Sequence, residues 1–168
     1  NTNGGGIYCS SASPTLSNLV IEENVATQKG GGIYCISASP ILSNVIIRNN
    51  TCSGSNYLNR GGGGIYCSSS SPSLTNVTII ENSAARGGGM YCTSSSPILE
   101  NVTITYNTAT GDGGGIYNYT GYPSFSNSIV WGNAPQQIYV NGGSVTAEDS
   151  DIQGGYEGTG NIDANPLF

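Results

Sequence analysis

The chain has 168 residues, with ten Asp and Glu against four Lys and Arg, no His, five Cys and 26 Gly, for a formal net charge of −6. Four scattered cations exclude a phosphate-backbone footprint. The lack of His removes the usual neutral-pH base, and no apolar run of about 18 residues exists to cross a membrane as a helix.

Glycine, serine and asparagine on this scale would suit a disordered chain, but apolar positions recur in register. Gly-Gly-Gly-Ile-Tyr-Cys occurs at 4–9, 30–35 and 62–67, returns with Met at 87–92, and ends in Asn at 113–118. The Ile/Met positions 7, 33, 65, 90 and 116 are spaced by 26, 32, 25 and 26 residues. A fixed period of this size marks a repeat architecture.

Coil one covers about residues 3–29. Its triple glycine makes a tight bend. In Ile7-Tyr8-Cys9 the period is two, so Ile7 and Cys9 share an inward face and Tyr8 points outward. Pro14 then opens a second unit, in which Leu16, Leu19 and Ile21 point inward, and Glu22-Glu23-Asn24 turns the chain. Coil two (30–60) repeats this around Pro40 and carries an insertion at 51–60, with Cys52, Tyr57 and Arg60 in it; such insertions become loops on one face, often a binding face. Coils three (61–85) and four (86–110) are the most regular. Coil five (111–134) drifts, and coil six (135–157) keeps Ile138-Tyr139-Val140 but no triple glycine. Residues 158–168 read as a capping tail, its Ile162, Leu167 and Phe168 folded over the last coil.

A 25–26-residue coil of short strands, with no helical period, cannot stand alone. Stacked on its copies, each strand pairs in parallel at about 4.8 Å. The expected fold is therefore all-β, a parallel β-helix of about six coils in a single domain, 1–168. Its first coil presents an open edge, because the repeat is entered at Asn3-Gly4 with no amphipathic helix over it. Either preceding coils belong there or the end docks on another subunit, head to tail, as in a filament.

The repeated side chains are the candidate sites. Asn18, Asn44, Asn76, Asn101 and Asn127 should stack at one corner, and Asn24, Asn50, Asn82, Asn107 and Asn133 at another, bonding along the axis and to turn backbone. Cys9, Cys35, Cys67 and Cys92 occupy one position, as small apolar filler or as disulfides between neighbouring coils. Tyr8, Tyr34, Tyr66, Tyr91, Tyr117 and Tyr139 form an outward stripe. It would serve cross-strand packing, contact with a polysaccharide, or contact with a surface protein. Glu148, Asp149 and Asp151 are the only dense acidic cluster; a metal held there would be calcium, and no other cofactor is expected. No Arg or Lys falls beside them in the register, and no carboxylate pair is placed for hydrolysis, so the chain is not expected to be an enzyme.

The Gly-Gly-Gly-Ile-Tyr-Cys coils with Ser-Pro-x-Leu-x-Asn-Val-x-Ile resemble the right-handed parallel β-helix repeats of large secreted or surface bacterial proteins. They are similar in fold to the pectate-lyase-like superfamily, and more loosely to polymorphic outer-membrane and autotransporter adhesin passengers. Asn127–Asn133 and Gly158–Phe168 resemble the closing coils of such proteins. The resemblance implies right-handedness and a secreted or cell-surface location. The expected role is a structural rod, stalk or adhesin segment, or a fibre unit self-associating end to end. The competing role is a carbohydrate-binding module with polysaccharide along the tyrosine stripe, and after it a polysaccharide lyase or hydrolase. Nucleic acid and membrane insertion are not expected.

Overall fold

The computed structural model describes residues 2–54 and 61–168. The first four coils lay strands on three faces, and each strand pairs in parallel with its counterpart one coil away. The first face carries six strands: Ile7–Ser10, Ile33–Ile36, Ile65–Ser68, Met90–Thr93, Ile116–Thr120 and Ile138–Val140. The second begins with Thr15–Glu22, Ile41–Arg48 and Ser73–Ile80, and continues as paired shorter strands from Ile98–Glu100 to Asp151–Ile152. The third carries the two-residue strands Val25–Ala26, Thr51–Cys52, Ser83–Ala84 and Thr108–Ala109. Ala134 bridges to Thr108 as its fifth member. The result is five complete turns and a sixth that lacks the third face, rather than six whole coils. Among the described residues there is no helix.

The register is the one expected. Ile7 pairs with Ile33, Ile33 with Ile65, Ile65 with Met90 and Met90 with Ile116, with the tyrosines and cysteines in step. These inward rows, with Leu42, Leu74 and Leu99 and with Ile47, Ile79 and Ile104, build one continuous lumen. Burying each such side chain contributes about 1.5–3 kcal/mol.

The corners are made by left-handed residues. Asn18, Asn44, Asn76, Asn101 and Asn127 have φ of 49–55°, and Asp149 takes the same conformation (φ 48°) in coil six. Asn and Asp tolerate this region because a short polar side chain can bond locally. A second left-handed corner falls at Glu23, Asn49, Glu81 and Tyr106, each just before an asparagine of the second row, which is half-buried at Asn24 and buried at Asn50, Asn82 and Asn107.

Two expectations need correction. Thr51 and Cys52 are not part of the insertion: they form the regular third-face strand, paired to Val25 and Ala26. Cys52 fills the small inward position that Ala26 and Ala84 hold in the adjacent coils, and its Sγ donates to the Gln28 carbonyl at 3.0 Å. The rest of the expected loop, residues 55–60 with Tyr57 and Arg60, lies outside the described residues. Nor does the tail cover the last coil with apolar side chains, since Ile162, Leu167 and Phe168 are all exposed. It closes the coil through main-chain bonds instead: Ile152 N–H donates to Ile162 O (3.0 Å) and Ile162 N–H to Ser150 O (2.9 Å). What the last coil lacks is partners for its edge amides and carbonyls, so hydrogen bonds rather than apolar bulk hold the tail.

Candidate functional site

Among the described residues, four repeated rows and a cavity beside the last coil are the candidates. The buried asparagine row is a complete ladder. Asn107 Oδ1 accepts both the main-chain N–H and Nδ2–H of Asn82 at 2.9 Å. Asn107 in turn gives its N–H and Nδ2–H to Asn133 Oδ1, and its Nδ2 also to the carbonyls of Ile79 and Thr105. Asn50 and Asn82 repeat the pattern. The ladder ends on Gln137, whose Oε1 accepts from Asn133 N and Nδ2 at 3.1 and 2.8 Å. The other asparagine row is different in kind. Its members are exposed, and the amide contacts between Asn18, Asn44 and Asn76 are 3.4 and 3.2 Å. Those residues serve the bend rather than a ladder.

All five cysteines are buried free thiols. Cys9, Cys35, Cys67 and Cys92 stack in register, and Asn118 stands at the fifth place. Burial first, then the adjacent Cys35, pushes the Cys9 thiol up to about 11, and Cys35 and Cys67 are raised further.

The tyrosine row lies on the outer side of the first face, as expected, but it is not an open platform. Tyr34, Tyr66, Tyr91 and Tyr117 are only 2–3% exposed, whereas Tyr8 is 52% exposed. In-register strands bring the rings into mutual contact. Tyr66, Tyr91, Tyr117 and Tyr139 stack at centroid distances of 4.6, 4.9 and 5.2 Å, while Tyr8, Tyr34 and Tyr66 meet edge to face at 5.2 and 5.4 Å. The segments leading into the triple glycines lie over the row: Lys29 Nζ is 5.9 and 5.3 Å from the Tyr34 and Tyr66 ring centres, and Arg86 Cζ is 5.3 Å from Tyr117. Such contacts favour cations over ring faces. The faces a sugar ring would need are thus occupied along most of the stripe.

Burial pushes the Tyr91 phenol up to about 12, with Tyr117 adding and Arg86 opposing; Tyr66 is also raised, by burial first. A phenol or thiol whose folded value lies above its unfolded one keeps its proton longer when folded. Its contribution is intact below the ordinary value and is lost as pH rises toward the folded one. Stability should therefore hold to about pH 9 and fall between roughly pH 9 and 12. The tyrosinate absorbance of the buried Tyr34, Tyr66, Tyr91 and Tyr117 should appear together with loss of β-sheet circular dichroism. Ionisation of these four near pH 10 with the sheet signal intact would contradict this.

The acidic cluster does not converge. Glu148 ends a strand, Asp149 sits at a left-handed bend, and Asp151 Oδ1 accepts the Ala164 N–H at 3.0 Å. Among the described residues no three His, Cys, Asp or Glu side chains are grouped to hold a metal. The bend at Asp149 and the tail's use of Asp151 separate the three carboxylates. What the structure does place beside Glu148 is a cavity of about 710 Å³ between the last coil and the tail, lined by Val145, Thr146, Glu148, Tyr156, Glu157 and Thr159. Tyr156 packs on the lumen residues, and its hydroxyl lies 3.4 Å from the Val145 carbonyl. Neither Tyr156 nor Gln137 has a counterpart in the repeat register, so periodicity could not single them out.

A family model described as a right-handed β-helix region matches residues 1–152. No curated protein and no solved structure matches the chain.

Proposed function

The chain belongs to the right-handed β-helix family, and from that premise we propose that it is a non-catalytic structural rod, a stalk or adhesin segment of a secreted or cell-surface protein. One observation carries this reading. The side chains that repeat along the rod spend their chemistry on one another: amides on amides, tyrosine faces on tyrosine faces, thiols inside the lumen. Repetition here supports stacking, and stacking supports a stiff element roughly 25–30 Å long. The placement outside the cell, in a bacterial protein, rests on the resemblance of the coils, and burial of every thiol agrees with it by keeping them from oxidants.

A second reading, carbohydrate contact, draws on the cavity beside Tyr156 and on the exposed ring of Tyr8 rather than on the stripe as a whole. One experiment separates the two. The protein is incubated with a panel of pectins, alginates, glucans and host glycans, with binding and release of new chain ends both measured. The rod reading expects neither. Saturable binding lost in Tyr156→Ala or Tyr8→Ala would replace it with the second reading, and new chain ends would make the protein an enzyme.

A further inference from the structure

The turn that follows the first face keeps one path through four coils and leaves it in the fifth. Ser11, Ser37, Ser69 and Ser94 bend it with φ of 49–53°. Two residues on, the main-chain N–H groups of Ser39, Ser71 and Ser96 each donate to the serine hydroxyl one coil earlier. In coil five Tyr122 takes that serine's place, and its N–H donates to Ser96 Oγ at 3.2 Å. The strand register also shifts after Asn118, so Thr93 pairs with Thr120 and Tyr119 is left over. Such irregularities re-aim a side chain. The bend moves to Gly121 (φ 144°), where a Cβ would run into the Ser95 carbonyl oxygen.

Asn118 fixes the new path from inside the lumen, at the place where the earlier coils have cysteine. Its Nδ2 donates to the carbonyls of Gly121 (3.1 Å) and Gly142 (3.0 Å). Coil six stacks on the turn as well, through Asn141 N–H to Asn118 O and Ser144 N–H to Gly121 O. The turn thus lies within the stack, braced by a coil on each side. It presents two open aromatic side chains, Tyr119 at 44% and Tyr122 at 67% exposure, beside a tyrosine row whose faces are covered. Their surroundings are hydroxyls and amides. Thr120 Oγ1 accepts the Ser94 N–H at 2.9 Å and lies 3.4 Å from Ser94 Oγ, and Asn141 is exposed. No Asp, Glu, Lys or Arg occurs from Gly113 to Ala147.

We propose that the turn of residues 118–123 binds a neutral polysaccharide, whose sugar rings stack on Tyr119 and Tyr122. A tyrosine offers a large apolar face with a polar tip and only two torsions to freeze. A turn already braced from the lumen and from both neighbouring coils loses little further freedom on binding. The hydroxyls of Thr120 and Ser94 and the Asn141 amide both donate and accept, as the hydroxyls of a sugar require. The uncharged stretch offers no cation to hold the carboxylates of a charged chain. An exposed turn also suits a chain over a free sugar, because small ligands are held by enclosure. This site rests on the ligand class of the second reading but uses none of its residues. A rod that carries it is an adhesin segment rather than a bare stalk.

Affinity electrophoresis through native gels containing xylan, mannan, β-glucan or a cellulose ether tests it, with pectate as the charged comparison. The expected result is retardation by a neutral polymer, with a dissociation constant that rises about tenfold or more in Tyr119→Ala and in Tyr122→Ala while the sheet circular dichroism is unchanged. Tyr122→Phe keeps the aromatic face and should keep binding. Tyr106→Ala, exposed at another corner, should not alter it. Binding that survives both alanine substitutions at the turn, or pectate held more tightly than every neutral polymer, would overturn the proposal. If the surviving binding is lost in Tyr156→Ala or Tyr8→Ala, the second reading stands without this site. Retardation by none of the polymers would overturn both.

Discussion

Gly63→Ala should abolish or nearly abolish folding, with a loss of more than about 3 kcal/mol. Gly63 is the second glycine of a buried bend, and its neighbours are backbone on both sides. A Cβ there would run into the carbonyl oxygen of Gly88 in the next coil and lie 2.6 Å from both N and O of Ser83. None of these atoms is free to yield. Gly63 N–H is bonded to Gly87 O, Gly64 N–H to Gly88 O and Ser83 N–H to Asn50 O, so moving one coil pulls on the next. Interiors packed this closely do not absorb a methyl group. The contrast is Gly154→Ala, where φ is 87° but nothing lies within 4 Å, so the cost is the left-handed penalty of about 1–2 kcal/mol. Urea unfolding of the two variants measures the difference. Equal losses would mean that the glycine triplets serve conformation alone and not the approach of successive coils.

Asn107→Ala should cost about 3–5 kcal/mol, a large share of the 5–15 kcal/mol typical of a domain. The side chain is fully buried, and its removal strands the Asn82 N–H, the Ile79 carbonyl and one side of the Asn133 amide at once. Each buried group left unpaired costs about 1–3 kcal/mol, and water cannot reach them through a packed lumen. Asn101→Ala, in the exposed row, should cost only about 1 kcal/mol, because it loses a residue suited to φ 54° and no buried bond; Asn101→Gly should cost less still. Thermal and urea unfolding of the three variants give the ranking. Losses of similar size at 101 and 107 would show that the two rows do the same work, against the hydrogen bonds described above.

The parallel in-register stack makes much of this fold readable from the chain. When a coil pairs with its copy, residues one repeat apart in sequence become neighbours along the axis, so the spacing of Ile7, Ile33 and Ile65 is itself the contact map of the lumen. Alternation within Ile-Tyr-Cys settles which side chains enter the lumen and which leave it. The same logic finds both asparagine rows.

Periodicity says nothing about what lies over an outward residue or beyond a terminal coil. The tyrosines leave the lumen, yet their exposure is set by ring-to-ring spacing and by the arms of Lys29 and Arg86, which come from a different part of the turn. The two asparagine rows look alike in sequence, but only one has its side chains directed into the stack, because a left-handed residue precedes each member and turns it inward. Cys52 reads as part of an insertion until its strand is seen beside Ala26. Gln137, Asn161 and the cavity at Tyr156 arise where the repeat stops. There, no copy one period on supplies the missing hydrogen bonds, and non-repeating residues from elsewhere in the chain must supply them. The chain by itself therefore determined the interior and the stack of coils, whose contacts are local in register. Only the tertiary structure decided the surfaces and the ends, whose contacts are not.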